Sequence, residues 1–307
     1  MMALSKEAEQ LIAAITELDL PPVEDLDAPT ARSLYDNRSA SVVPPAVASV
    51  VDRIIPSSVG EIPVRIFRPI DDDRPIPAIV FFHGGGWVFG TIDTHDAACR
   101  ALANAAEATV ISVDYRLAPE HPYPAAVDDA MGATEWIVAN ASELHIHPEE
   151  IAVCGDSAGG NLAAVVAQHF RTLGVPLAAQ LLVYPMTDLS DEDSPSLLEF
   201  NDGYLLTAAA ITWFLDNYVT RPERTEPRCS PAFGDLTGVA PAFVLTAECD
   251  PLRSQCEAYA AALIAAGVDT ELVQFDGQVH SFFTQVGVLT DSHRAVDSLA
   301  SFFRSRL

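Results

Sequence analysis

IAVCGDSAGGNLAAVVA, residues 151–167, is the stretch of the chain that decides the fold. An apolar, strand-like segment leads into the glycine-rich turn GDSAG at 155–159, and an alanine-rich segment typical of a helix follows it. A serine at a sharp strand-to-helix turn must adopt strained backbone angles to project its hydroxyl. Glycines two residues away on either side prevent a collision within the turn. The stretch therefore predicts a strand–turn–helix unit that presents Ser157 as a nucleophile.

The chain on both sides of this unit alternates strand-like and helix-like segments. Several strands are nearly continuous apolar runs, such as 78–82, which is typical of a sheet covered by helices on both faces. Strands separated by helices imply right-handed parallel crossovers, whereas the first two strands lie close enough to form an antiparallel edge hairpin. The predicted strands are 50–55, 62–68, 77–83, 109–113, 151–155, 179–184, 242–247 and 271–275. The predicted helices are 4–18, 28–37, 95–107, 124–141, 158–173, 207–219, 251–266 and 292–306. The pattern predicts an α/β fold with a mostly parallel eight-stranded sheet.

The alternation breaks after strand 179–184, where a long segment contains no strand pattern. This segment is polar at first and helical at 207–219, so it is expected to lie above the sheet as an insertion. Together with the N-terminal residues it predicts a helical cap. The predicted division is 1–48 as the N-terminal part of the cap, 49–187 as the first part of the catalytic domain, 188–236 as the cap insertion and 237–307 as the second part of the catalytic domain.

A run of glycines, HGGGW at 83–87, follows the apolar strand 77–83. Backbone N–H groups in such a run can approach a substrate oxygen because no Cβ atom is in the way. Hydrolases with a serine turn of this kind take part of their oxyanion hole from this loop and the rest from the N–H after the nucleophile, here Ala158. A phosphate-binding loop would need the pattern G-x-x-x-x-G-K-[ST], which this loop lacks.

Two carboxylates compete for the role of the catalytic acid. In folds of this kind the acid follows the nucleophile in the chain, and the histidine comes last. Glu248 and Asp250 both lie at the carboxyl end of strand 242–247, the edge of the sheet where site residues gather. Asp250 also precedes a proline that begins a helix, so it could serve only as a helix cap. We favour Asp250 as the acid.

Two histidines remain as candidates for the base. His293 falls within an amphipathic helix, whereas His280 lies in a loop after strand 271–275. The predicted triad is therefore Ser157, Asp250 and His280. In this triad His280 takes the serine proton and then protonates the leaving alcohol, while Asp250 orients the imidazole ring and stabilises its charged form.

The composition excludes several classes of partner. The 307 residues carry a net charge of −26, from 43 acidic and 17 basic side chains. Such an acidic surface repels phosphate backbones, which predicts no nucleic-acid binding. No apolar run approaches the roughly 20 residues of a membrane-spanning helix. Metal binding is not expected either, since His145 and His147 have no third ligand nearby in the sequence.

The cysteines and the N-terminus both predict a cytoplasmic location. The five cysteines are scattered and form no Cys-x-x-Cys pair, which favours free thiols in a reducing compartment. The N-terminal residues interleave acidic and apolar side chains, and they lack the basic start, the unbroken apolar core and the cleavage site of a secretory signal.

Taken together, these motifs resemble the hormone-sensitive-lipase-like family of bacterial esterases, in its GDSAG branch, within the α/β-hydrolase superfamily. The resemblance extends from about residue 50 to the C-terminus and rests on HGGGW at 83–87, DYRLAPEHPYPA at 114–125, GDSAGGN at 155–161, YP at 184–185, DPLR at 250–253 and H-x-F at 280–282. It implies the α/β-hydrolase fold with a mostly helical cap. It also implies hydrolysis of short- to medium-chain acyl esters through an acyl-enzyme intermediate, with no cofactor.

The resemblance also implies roles for individual residues. It makes Gly85, Gly86 and Ala158 the oxyanion donors, with Gly84 as an additional candidate, and it makes Asp250 rather than Glu248 the acid. The chain departs from the family's pattern at Ser281, where a glycine often follows the histidine.

A substrate pocket is predicted from aromatic and aliphatic side chains of the cap and of the two site loops. These candidates are Trp87, Tyr204, Leu205, Trp213, Phe214 and Phe282. For the cap side chains, packing between cap and catalytic domain is an equally good interpretation.

Two other functions are compatible with the motifs. The same triad could hydrolyse a lactone or an activated amide. A non-catalytic ligand-binding protein is a third hypothesis, because plant gibberellin receptors resemble this family, but such receptors typically lose the histidine that is present here as His280. The expected partner is a small-molecule ester, and the resemblance also allows a homodimer paired through the last sheet edge.

Overall fold

A single eight-stranded sheet organises the computed structural model of the chain, which describes residues 4–35 and 43–307. The strands are β1 (Ser49–Ser57), β2 (Gly60–Arg68), β3 (Ile76–Phe82), β4 (Thr109–Val113), β5 (Ile146–Asp156), β6 (Ala179–Val183), β7 (Ala242–Cys249) and β8 (Thr270–Val279). Their order is β1-β2-β4-β3-β5-β6-β7-β8. β2 pairs antiparallel with β1 and β4, and the other neighbours are parallel. The predicted mostly parallel eight-stranded sheet with an antiparallel edge hairpin is confirmed.

The helices lie close to their predicted positions. They are α1 (Lys6–Thr16), α2 (Ala28–Tyr35), α3 (Asp96–Ala106), α4 (Ala125–Ala139), α5 (Ala158–Leu173), α6 (Pro195–Glu199), α7 (Ala208–Tyr218), α8 (Arg253–Ala265) and α9 (Thr290–Arg304). Helix α6 is not predicted from the sequence, because five residues are too few to show a helical period. The last two residues of the helix predicted at 28–37 lie outside the described residues. Within the described ranges, no helix has both the length and the apolar character needed to cross a membrane.

Helices cover both faces of the sheet, and the alternation of side chains along each strand explains how. In β3, Ile79 and Phe81 belong to the core on the face covered by α3 and α9, whereas Val80 and Phe82 belong to the core on the face covered by α4, α5 and α8. Successive side chains of a strand point to opposite faces, so a strand buried on both sides is apolar throughout. This arrangement places the carboxyl ends of the parallel strands at one edge, where the loops of the candidate site converge.

The two segments of the predicted cap contact each other, and the N-terminal one also contacts the loop that follows β3. The indole N–H of Trp213 in α7 donates to the carbonyl of Leu26 at 3.2 Å. Arg32 in α2 donates to the carbonyl of Val88 at 2.7 Å and to that of Ala118 at 2.6 Å. The division into 1–48, 49–187, 188–236 and 237–307 stays a prediction, and residues 1–3 and 36–42 of its first segment lie outside the described residues.

Candidate active site

The turn between β5 and α5 holds Ser157 in a conformation that L residues rarely adopt, with φ 56° and ψ −116°. The amide of Ser157 donates to the carbonyl of Val183 at 2.8 Å. A Cβ atom on Gly155 would overlap the carbonyl of Gly159, and one on Gly159 would overlap the carbonyl of Phe82. The glycines are therefore required by the close approach of three backbone segments, and the turn leaves Ser157 partly accessible.

Three side chains that are far apart in the sequence meet at this turn. The Nε2 atom of His280 lies 2.9 Å from the Oγ atom of Ser157, and its Nδ1 atom lies 2.7 Å from Oδ2 of Asp250. The other carboxylate oxygen of Asp250 accepts the amide proton of Leu252 at 2.8 Å. Because Asp250 is fully buried and acts as an acceptor, the imidazole donates from Nδ1 and keeps Nε2 free to accept the serine proton.

The competing acid and the competing base lie elsewhere. Glu248 accepts the amide proton of Gly277 at 2.5 Å and so holds the last part of β8, three residues before His280, rather than contacting the imidazole. His293 is exposed on α9, where it accepts the amide proton of Gly287 at 3.3 Å. The structure thus brings together Ser157, Asp250 and His280. Neither Glu248 nor His293 contacts this group.

Three backbone amides lie at the nucleophile turn and in the glycine loop that is bonded to it. Among the described residues, the N–H groups of Gly85, Gly86 and Ala158 donate to no protein acceptor. Ala158 is the first residue of α5, where the helix dipole adds positive potential. The suggestion that Gly84 is a further oxyanion donor is wrong, because its buried amide already donates to Oδ1 of Asp156 at 2.9 Å.

The Asp156 carboxylate is part of a buried network that the sequence pattern does not indicate. Besides the Gly84 amide, it contacts His95, whose Nε2 atom lies 3.1 Å from Oδ1. Burial acts to raise the pKa of Asp156, but the charge and hydrogen bond of His95, together with the amide of Gly84, lower it below the ordinary value. Asp156 therefore stays ionised and fastens the oxyanion loop to the nucleophile turn. No local pattern could have revealed this, since His95 lies 61 residues from Asp156.

A second buried contact, between Tyr115 and His83, supports the same oxyanion loop. The hydroxyl of Tyr115 donates to the carbonyl of His83 at 2.7 Å, and the two rings stack with centroids 4.3 Å apart. Burial lowers the pKa of His83 to about 3, and the charge of His95 adds to this effect. His83 is therefore a neutral structural residue. Tyr115 lies in the segment DYRLAPEHPYPA, which thus acts as scaffold rather than as chemistry.

The predicted pocket residues fall into two groups. Trp213 and Phe214 are half-buried and pack around Phe89 beside the oxyanion loop, with ring centroids 5.6 and 5.1 Å from that of Phe89. Tyr204 and Leu205 are also half-buried. They pack against a small buried cluster that contains Val279, the residue before His280. Leu4 and Ile12 of the N-terminal segment pack against the same cluster.

Two of the pocket predictions need correction. Trp87 is buried and stacks on Tyr218, with centroids 4.3 Å apart and nearly parallel planes. Phe282 is fully buried and packs beneath Tyr184 and against Phe275. Both rings are enclosed by neighbouring side chains, so neither can line a pocket, and only the four cap side chains remain candidates. In the described parts of the chain, no group of three or more His, Cys, Asp or Glu side chains is arranged to hold a metal ion.

The fold and the site define the class of the protein, a hydrolase with a serine, histidine and aspartate site on a mostly parallel sheet. Comparison with known proteins shows the family to which it belongs. A family model described as alpha/beta hydrolase fold matches residues 79–284. The chain is 46% identical over 228 residues to the carboxylesterase NlhH of Mycobacterium tuberculosis, covering 72% of this chain and 71% of that protein. It is 39% identical over 281 residues to an ethyl acetate hydrolase of Pseudomonas putida, covering 88% of each.

Solved structures agree with this result. The hyperthermophilic esterase of the archaeon Pyrobaculum calidifontis superposes with a TM-score of 0.95 at 40% identity, over 99% of each chain. The chain belongs to the hormone-sensitive-lipase-like family of the α/β-hydrolase superfamily. It is a carboxylic ester hydrolase. This finding contradicts the hypothesis of a non-catalytic binding protein.

Proposed function

We propose that the chain hydrolyses short- to medium-chain acyl esters through an acyl-enzyme formed on Ser157. The observation that carries the proposal is the continuous hydrogen-bonded line from Ser157 Oγ to His280 Nε2 at 2.9 Å and from His280 Nδ1 to Asp250 at 2.7 Å. A serine hydroxyl is a weak nucleophile until a base removes its proton, and this line supplies the base and the group that orients it.

The reaction proceeds in two halves. Ser157 attacks the ester carbonyl while His280 takes its proton, and the oxyanion that forms accepts hydrogen bonds from the amides of Gly85, Gly86 and Ala158. His280 then protonates the leaving alcohol. Water, deprotonated by His280, releases the acid in the second half. Each oxyanion donor contributes about 3 to 4 kcal/mol to the transition state in enzymes of this type.

The four cap side chains Tyr204, Leu205, Trp213 and Phe214 are proposed to contact the substrate. Two features support this assignment: they are half-buried rather than enclosed, and Phe214 packs directly against Gly86 of the proposed oxyanion hole. A pocket of these few apolar groups favours acyl chains of limited length.

A series of p-nitrophenyl esters from acetate to palmitate tests the substrate range. We expect the highest kcat/KM between acetate and octanoate, with Ser157→Ala abolishing turnover of every ester. Asp250→Asn is expected to lower kcat by about 10⁴, whereas its matched control, Glu248→Gln, leaves kcat within a few-fold. Activity that survives in Ser157→Ala, or equal effects of the two acid variants, would contradict the proposed triad.

A cytoplasmic homodimer completes the proposal. All five cysteines are buried and free of disulfides, as expected in a reducing compartment. The last strand, β8, pairs only with β7 among the described strands, and the N-terminal segment reaches it at Gly277, whose carbonyl accepts the amide proton of Ser5 at 2.9 Å. A second copy is therefore proposed to pair with the part of the outer edge of β8 that precedes Gly277. Fractionation of the source cells tests the location, and light scattering of the purified protein tests the dimer.

A further inference from the structure

The ring of Tyr184 packs against the imidazole of His280. It follows β6 at the carboxyl edge of the sheet, one residue beyond Val183, whose carbonyl accepts the amide proton of Ser157. The ring of Tyr184 is fully buried, and its centroid lies 4.5 Å from that of the imidazole, at an interplanar angle of 50°. The two rings are therefore in contact.

The surrounding structure holds the Tyr184 ring against the imidazole. Its φ of 34° lies in the left-handed region that L residues rarely adopt, and its amide donates to the carbonyl of Leu245 at 2.7 Å. The ring of Phe282 packs on it at a centroid distance of 6.0 Å and is itself supported by Phe275. Unfavourable backbone angles persist where neighbouring groups fix a side chain for a purpose, and here they cluster at the reacting groups.

The contact between the two rings is more favourable in the transition state than in the resting state. An aromatic face carries negative electrostatic potential and attracts a cation within about 6 Å of its centroid. The imidazole is neutral at rest and becomes a cation when it takes the serine proton. The contact with Tyr184 therefore stabilises the transition state more than the resting state, which is the condition for raising kcat.

The phenol itself takes no part in proton transfer. Burial raises the pKa of Tyr184 well above its ordinary value, and the carboxylates of Asp156 and Asp250 add to the effect. The hydroxyl stays protonated at every pH at which an esterase works. What Tyr184 offers to His280 is therefore its aromatic ring, 4.5 Å away, rather than a titrating hydroxyl.

We propose that Tyr184 is a positioning residue of the ester-hydrolase site, whose ring fixes the plane of the His280 imidazole and favours its charged form. The inference rests on the triad of the proposed function. The titratable groups that face the imidazole are Asp250 from the end of β7, Ser157 from the nucleophile turn and Tyr184 itself. Asp156 and Cys154 act electrostatically on Tyr184.

The test replaces Tyr184 with phenylalanine and then with trifluorophenylalanine, which has nearly the same shape but a face depleted of negative potential. The readouts are kcat and the kcat/KM–pH profile with p-nitrophenyl butyrate. Tyr184→Phe is expected to keep the wild-type profile. The fluorinated variant is expected to move the midpoint of the acid limb down by about 0.5 to 1 pH unit and to lower kcat about 3- to 10-fold.

A leucine at the same position removes the ring face altogether, and Tyr184→Leu is expected to exceed the fluorinated variant in both effects. The matched control is the same series at Tyr259, a buried tyrosine of α8 whose hydroxyl lies 3.2 Å from Nε2 of Gln168; these variants should leave the profile unmoved. The proposal is overturned if fluorination at 184 changes neither readout, or if Tyr184→Phe loses as much as Tyr184→Leu. Failure of the triad is a separate result, because it appears as activity retained in Ser157→Ala.

Discussion

Asp156 accepts the amide proton of Gly84 at 2.9 Å, and this hydrogen bond joins the nucleophile turn to the oxyanion loop across 72 residues of sequence. Both groups are buried, and a Cβ atom on Gly84 would overlap the carboxylate. The residue beside the nucleophile therefore determines where the glycine loop lies. Correct spacing between the serine hydroxyl and the oxyanion donors depends on a contact that includes neither.

Asp156→Asn tests this dependence. The amide keeps the size of the carboxylate but removes its charge, and a hydrogen bond to a charged group is worth about 1.5 to 3 kcal/mol. We expect kcat to fall about 10-fold or more while KM changes little, since the loop shifts relative to the attacking oxygen. Steady-state kinetics on p-nitrophenyl butyrate measure both constants. The control is Asp235→Asn, at an exposed carboxylate paired with Arg171. An equal loss of kcat in this variant would contradict a specific role for Asp156.

The packing of Phe214 against Gly86 predicts a coupled pair of substitutions. A Cβ atom on Gly86 would overlap the Phe214 ring, so Gly86→Ala should displace α7 from the oxyanion loop and lower kcat/KM. Phe214→Ala opens the required space, and the double variant should recover part of the loss, with a coupling energy of about 1 kcal/mol or more. A double-mutant cycle on kcat/KM measures it. Additive effects would mean that strain at Gly86, where φ is 60°, causes the whole loss.

Ser281 occupies a left-handed conformation, with φ 69° and ψ 7°, directly after His280. A non-glycine residue there costs about 1 to 2 kcal/mol, partly offset by the greater freedom of glycine in the unfolded chain. Ser281→Gly is therefore expected to raise the free energy of unfolding by about 0.5 to 1 kcal/mol. Urea denaturation measures the change. Ser298→Gly, within the right-handed helix α9, should lower stability instead, and a loss in both variants would show that Ser281 is not strained.

The buried His83 predicts how stability depends on pH. Its pKa is about 3 in the folded chain against 6.5 for an ordinary histidine, so between these values the unfolded chain binds the additional proton. Stability is therefore lost as pH falls from 6.5 towards 3, by up to about 1.4 kcal/mol per pH unit from this group. In His83→Asn that slope should become shallower when the free energy of unfolding is measured at several pH values. His121→Asn, at an exposed histidine, should leave the slope unchanged; an unaltered slope in His83→Asn would contradict the assignment.

The order of elements and the main chemistry were predictable from local sequence. Strand and helix positions follow from the spacing of apolar residues, and the turn at Ser157 follows from its glycines, because both depend on neighbours in the chain. The chain order of nucleophile, acid and histidine limited the base to His280 or His293, and the resemblance to known esterases indicated Asp250 as the acid. The structure brings the same three side chains together.

Only the tertiary structure decided which groups around the three triad side chains are accessible to a substrate and which are enclosed or already hydrogen-bonded. Phe282 and Trp87 looked like pocket residues in sequence, but packing buries them, and the Gly84 amide is already bonded to Asp156. The contacts of Asp156 with His95 and of Tyr184 with His280 each join separate elements of the fold. Such contacts depend on how strands and helices pack against each other. The spacing of residues within one segment does not encode the distance between side chains of different segments.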